Sequence, residues 1–306
     1  MAKRYRDIVG DGGSDFVGQL TGLSDKLKQR MAGIKHKVAI MSGKGGVGKS
    51  TVTVNLASAL ASLGLSVGVL DADIYGPSLA QMLGVRGQHL DMDKNGVKPP
   101  LSHSGIKVMS MDFFLPESKT PVVWDGPQQD SFSWKGTMEM QALREFLTDT
   151  CWGELDYLLI DLPPGTNQFG TLVDLLGQPD GTLVVSIPTA VSRLVVGRSI
   201  TMITQVLKSR ILGVVENMAS YYCLGCEDER PLFGNEENAD YGETPLLAGV
   251  PFDPRLAQAA DRGIPFVESH PETPSSKAFL TLAADLVGLF EEKTQNLKIP
   301  IEEGTS

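Results

Sequence analysis

The stretch SGKGGVGKSTVTVNLASALASLG, residues 42–64, constrains this chain more than any other. Gly43, Gly48, Lys49 and Ser50 satisfy the pattern G-x-x-x-x-G-K-[ST]. The pattern follows a short apolar run, HKVAIMSG, and opens a segment of helical spacing that stops at Gly64. Glycines let the backbone wrap closely around phosphates, so that its N–H groups and the helix N-terminus face the anion. Lys49 would reach the β- and γ-phosphates of ATP, and the Ser50 hydroxyl would ligate Mg²⁺. The chain must therefore provide a buried strand, a tight turn and a helix in immediate succession.

The rest of the sequence repeats that alternation. SVGVLDAD, IKVMSM, DYLLIDLPP, GTLVVSIP, ILGVVENM and PLLAGVPF read as buried strands. Helical spacing falls near 137–149, 168–177, 190–208, 254–262 and 274–293. Near-continuous Val/Ile/Leu strands separated by helices predict an α/β fold: a doubly wound, mostly parallel sheet with helices on both faces. The reading assigns residues 1–35 to a flexible N-terminal arm and 36–293 to one P-loop ATPase domain. Within that domain 85–136, with five prolines and no helical period, reads as a hairpin-and-loop insertion. The segment 219–234 reads as a metal-binding loop, and 294–306 as a C-terminal tail.

Charge and cysteine usage narrow the class. There are 27 Lys+Arg against 37 Asp+Glu, a net charge of −10, which argues against a general binder of nucleic acid or anionic membrane. No apolar run is long enough to span a bilayer. Three cysteines in 306 residues do not make a disulfide framework, so the expected setting is cytoplasmic and reduced.

Two strand ends carry acids where open α/β sheets bind ligands. Asp161 closes the apolar run YLLID and is a candidate to hold Mg²⁺, directly or through water. Asp73 is a candidate to orient or deprotonate the attacking water, with Asp71 supporting the metal. Taken singly, an acid at a strand end is equally a cap or turn former. Cys223 and Cys226, in SYYCLGCEDERPLFG, read as a redox pair, half of a metal site or a coincidence. Two thiolates are half of what an iron–sulfur cluster or structural zinc takes, and a symmetric dimer would supply four. Cys151, beside Trp152, is expected to pack as a small buried hydrophobe.

The block KGGVGKST resembles the deviant Walker A loop of the MinD/ParA/Mrp class of P-loop ATPases. The resemblance implies that Gly43, Lys44, Gly45, Gly46, Val47, Gly48, Lys49, Ser50 and Thr51 surround the phosphates, with Lys44 reaching across a homodimer to the partner's nucleotide. With DADIYGPS, LDYLLIDLPPGT, GVVENM, the Cys223–Cys226 pair and VPFDPRLAQAADRGIPFV, residues 35 to 290 look like the Mrp/ApbC-type iron–sulfur carrier ATPases. That resemblance implies a homodimer bridging a [4Fe–4S] cluster through Cys223 and Cys226 of each subunit and passing it to apo-proteins. It also implies that Asn217 faces the adenine and that the segment around Asp253 borders it. An intersubunit Zn²⁺ is the alternative occupant of the thiols. A MinD/ParA-like positioning ATPase and an ATP-driven electron donor are the alternative functions.

The sequence departs from the family pattern after the Asp161 strand, where PPGTNQ replaces PPGTGD through Asn167 and Gln168, and at WDGP, where Asp125 replaces a cation. Slow hydrolysis is the expected consequence, because the segment after Asp161 must rearrange around the γ-phosphate.

Overall fold

The computed structural model describes residues 25–115, 131–226, 228–233 and 240–296. Its centre is β1 (Ile34–Ser42), flanked by β6 (Leu155–Asp161) and β7 (Gly181–Ser186). Beyond β6 lie β2 (Val67–Asp71) and β5 (Lys107–Met109), and beyond β7 lie β8 (Ile211–Cys223) and β10 (Leu246–Phe252). The order β10-β8-β7-β1-β6-β2-β5 is parallel throughout, and β9 (Asp228–Pro231) adds to β8 as the antiparallel exception. A separate two-stranded ladder pairs β3 (Asp91–Asp93) with β4 (Gly96–Lys98).

The strands are apolar on both faces because both faces are covered. On β1, Val38 and Ile40 point into one core while Ala39 and Met41 point into the other. The first core is roofed by α2 (Lys49–Ser62), α3 (Leu79–Met82), α7 (Arg255–Asp261), α8 (Phe266–Ser269) and α9 (Pro274–Asn296), through residues such as Leu56, Phe266 and Phe279. The second is roofed by α1, over 25–31, with α4 (Ser131–Asp149), α5 (Asn167–Leu176) and α6 (Ala190–Thr201). Leu147, Phe169 and Val196 are among its buried contacts. The doubly wound α/β sheet expected from the strand pattern is therefore the fold.

Four expectations change. Residues 25–34 are not a free arm: α1 buries Leu27 and Met31 in the second core, and β1 begins at Ile34. The segment 219–234 is not a plain loop, because β8 runs on to Cys223 and folds back as β9, a β-hairpin. Cys151 is half-buried among polar groups: Arg30 Nη1 lies 3.7 Å from its sulfur, which faces the Asn95 carbonyl oxygen at 3.5 Å. The insertion contributes β3, β4 and the sheet strand β5, while 116–130, with Asp125, lies outside the described residues. So do residues 1–24 and 297–306. The helix expected over 190–208 is α-helical only to Thr201 and widens into a π-turn, Met202–Val206.

Candidate nucleotide site and thiol hairpin

The turn between β1 and α2 is built from positions only glycine fills well. Gly46 and Gly48 have φ of 78° and 80°, the left-handed region, and Gly48 is the cap of α2. A Cβ at Gly48 would also collide with the Asn217 amide, whereas at Gly46 it would meet nothing within 4 Å. The loop is thus closely backed on the side of β8 and open on the other, a cradle with room for phosphate oxygens. Gly43 is backed in turn by Val195 of α6, whose Cγ1 would lie 2.7 Å from an added Cβ.

Asp161, at the end of β6 and fully buried, gathers the donors of α2. Lys49 Nζ donates to Oδ2 at 2.6 Å, Ser50 Oγ to the same oxygen at 2.7 Å, and Thr53 Oγ1 to Oδ1 at 2.6 Å. Thr53 is absent from the P-loop pattern. Its position four residues after Lys49, on one helix face, is the signal that places it there. The Lys49–Asp161 pair is itself buried, which makes either partner costly to remove alone. Ser50 Oγ and the Asp161 carboxylate put two hard oxygen donors side by side next to the open cradle, a set that fits Mg²⁺.

Asp71 pairs across the sheet with Asp161 at the end of β2. It accepts from the Asp73 amide at 3.2 Å, from the Ser78 and Leu79 amides at 2.9 and 3.1 Å, and from Ser110 Oγ at 3.2 Å. Burial first, and then the neighbouring Asp161 charge, push its carboxyl up to about 7, against the pull of the Leu79 and Ser78 amides and of Lys49. Asp73 is half-buried in the loop that Asp71 holds, and its Oδ1 accepts from the Gly76 amide at 3.1 Å. Lys44 is half-buried at the turn, its carbonyl accepting from Ser42 Oγ at 3.0 Å.

The two residues assigned to the base are engaged by the protein itself. Asn217 is buried on β8 and donates Nδ2 to the Val47 carbonyl at 2.9 Å. Asp253 is fully buried and takes both guanidinium contacts of Arg255, at 3.0 and 2.6 Å, together with the Arg255 amide at 2.9 Å. Its carboxylate is committed to the start of α7. The Arg255 partner follows from D-P-R spacing, in which an Asp accepts from the amide two residues on, an Asx-turn leading into α7.

The thiols sit at the tip of the β8–β9 hairpin, where Cys223 pairs with Asp228. Cys223 is half-buried and Cys226 exposed. A hydrogen bond from Cys226, then the Cys226 and Gly225 amides and, more weakly, Arg230, hold the Cys223 thiol below its ordinary range. Arg230 Nη2 also approaches Cys226 Sγ at 3.8 Å. Among the described residues no cluster of three or more His, Cys, Asp or Glu forms, so one chain supplies two thiolates here. No helix of the described residues is long and apolar enough to cross a membrane.

Known proteins are similar to this chain over most of its length. The family model described as ParA, NUBPL iron-transfer P-loop NTPase, matches residues 33–287. An iron-sulfur cluster carrier protein of Saccharolobus solfataricus is 42% identical over 277 residues, 89% of this chain and 90% of that protein. A Caenorhabditis elegans protein, a cytosolic Fe-S cluster assembly factor NUBP1 homolog, is 41% identical over 268 residues, 84% of this chain and 82% of its own length. Among solved structures, a nucleotide-binding protein of Archaeoglobus fulgidus in complex with ADP is 37% identical with a TM-score of 0.65, over 78% of this chain and 91% of that one. With a P-loop, an acidic β6 end and a paired-thiol hairpin on one sheet, this chain belongs to the ParA-type, NUBPL-like iron-transfer P-loop NTPases, the family of the iron–sulfur cluster carriers.

Proposed function

We propose that this chain is a cytoplasmic, ATP-dependent iron–sulfur carrier that works as a homodimer, takes a [4Fe–4S] cluster on Cys223 and Cys226 of both subunits, and delivers it to apo-proteins. The observation that carries the reading is the thiol pair at the tip of a hairpin that grows out of β8, the strand whose Asn217 touches the P-loop. A pair of thiolates on an exposed tip is half of a four-thiolate set, and two-fold symmetry completes it.

Each residue then has a task. The loop Gly43–Thr51 wraps the phosphates, Lys49 leaves Asp161 for the β/γ-phosphates, and Ser50 with Asp161 holds Mg²⁺, which would supply charge neutralisation on the phosphate oxygens. Lys44 reaches the partner's phosphates, and Asp73 orients the attacking water. The four donors on Asp71 support a different role from the metal support read in the sequence: it fixes the loop that presents Asp73. Asn217 and the backbone at Asp253 border the adenine. The acidic net charge favours protein clients over nucleic acid.

Anaerobic reconstitution tests the reading. About four irons and four sulfides per two chains are expected. Cys223→Ser or Cys226→Ser should each abolish the cluster and spare ATP binding, while Cys151→Ser keeps it. Stoichiometric zinc without reconstitutable iron, or a full cluster in Cys223→Ser, overturns the carrier assignment.

A further inference from the structure

β8 does two jobs along one length of chain. As far as Glu216 it lies within the main sheet, paired with β7 at Ser186 and with β10 at Gly249, with register shifts opposite Thr182/Leu183 and Leu246/Ala248. It is held there from the side as well: the Tyr241 hydroxyl donates to Glu216 Oε1 at 2.6 Å, and Arg193 of α6 lies 3.6 Å from the same oxygen. Asn217 follows, tied to the Val47 carbonyl of the P-loop. From Ser220 the strand also pairs with β9, as far as Cys223 opposite Asp228, while Tyr221 keeps a β10 partner in Phe252.

Between these halves the ladder breaks. The β10 partner of Asn217 is Val250, yet that of Tyr221 is Phe252, so β8 spends four steps where β10 spends two. The extra residues form a bulge. Inside it, Met218 has a φ of 57°, the left-handed region that an unbranched L-residue adopts only at a cost. Lys208 is the only other non-glycine with positive φ among the described residues. Strained backbone of this kind persists where its surroundings over-determine it, and here the P-loop contact lies on one side and the thiol hairpin on the other.

We propose that Met218 is a positioning residue, the joint through which nucleotide occupancy of the P-loop sets the placement of the Cys223–Cys226 pair of the same subunit. The inference rests on the nucleotide and thiol roles assigned above. Phosphates draw the loop amides inward, and the Val47 carbonyl moves with them. Asn217 is hydrogen-bonded to that carbonyl, so the displacement reaches the next residue, Met218, whose conformation fixes the angle at which the hairpin leaves the sheet. A stiff joint transmits the shift, whereas a glycine there absorbs it.

The test follows maleimide labelling of Cys223 and Cys226 by peptide mass in the cluster-free full chain, with and without ADP, and with Cys151 as the internal control. In the wild type ADP should change the hairpin rates by about fivefold or more, the size of a modest coupling between sites, and leave Cys151 unaffected. Met218→Gly should keep the wild-type ADP affinity by calorimetry and lose the ADP effect. Met218→Asn, which tolerates the left-handed region, should restore it. Wild-type ADP binding with no effect on labelling overturns the joint, as does an undiminished effect in Met218→Gly. Loss of the effect in both variants places the transmission in the side chain and overturns it too. If calorimetry finds no ADP bound to the wild type, the nucleotide assignment itself fails and the joint falls with it.

Discussion

At the scale of single residues the site is an arrangement of donors around Asp161. Lys49, Ser50 and Thr53 all lie within 2.7 Å of its two oxygens, so the P-loop lysine is already partnered before any phosphate arrives. Binding must exchange one buried ion pair for another, and the second lysine of the loop takes no part in the first. The two lysines should therefore separate in experiment. Lys49→Ala strands a buried carboxylate and should lower the stability of the nucleotide-free protein by about 3 kcal/mol. It should also weaken ATP binding by roughly 2 kcal/mol, the worth of a hydrogen bond to a charged group. Lys44→Ala should change neither quantity, yet stop turnover. Chemical denaturation, calorimetry and phosphate release on the two variants check this, and unchanged turnover in Lys44→Ala removes the partner-directed role of that lysine.

At the scale of elements the sheet is stitched at its amino edge as well as its carboxyl edge. Asp156, at the start of β6, accepts from Lys35 Nζ at 2.6 Å and from the Ser66 amide and hydroxyl, each at 2.8 Å. These partners, Lys35 first and then the Ser66 amide, hold its carboxyl at about 2, below its ordinary 3.8. Because the folded value is the depressed one, the stabilisation is fully present above about pH 4 and is lost as pH falls through about 2. Asp156→Asn should therefore destabilise the protein near pH 7, and its deficit should shrink near pH 3 when urea midpoints are compared. A deficit independent of pH would assign the effect to packing instead. The same elements show what the sequence makes legible. Apolar runs such as YLLI and LVVS report strands buried on both faces, and all the main strands were readable from them. The extension of β8 was not, because SYYC lies beyond a bulge whose left-handed residue is a methionine, and no glycine or proline marks it. Within the site, the P-loop and Asp161 were legible because their chemistry fixes residue type and spacing. The commitments of Asn217 to Val47 and of Asp253 to Arg255 were not, since either side chain is equally suited to a ligand and to its own backbone neighbours.

At the scale of the whole molecule the sheet separates chemistry from anchorage. Phosphate loop, acids and thiol hairpin occupy the carboxyl edge, while α1 closes the amino edge over the second core. Arg30 is the fastening: its Nε donates to the Thr148 carbonyl at the end of α4 at 3.1 Å, Nη2 donates to the Asn95 carbonyl of the β3–β4 turn, and Nη1 faces Cys151. A guanidinium suits this because its planar fork serves three segments at once. Leu27, 7% exposed, supplies the apolar half of the contact. Leu27→Ala should cost about 2–3 kcal/mol, and Arg30→Ala should remove the guanidinium's bonds to the Thr148 and Asn95 carbonyls and uncover the side of the Cys151 thiol that Nη1 faces. The double variant should melt several degrees lower and label faster at Cys151, with the affinity for ADP and the labelling of Cys223 and Cys226 unchanged. Thermal scanning, peptide-resolved alkylation and calorimetry read these three quantities independently. If ADP affinity falls together with the melting temperature, the amino-edge fastening supports the P-loop, and the two edges of the sheet are not separable in the way the distances imply.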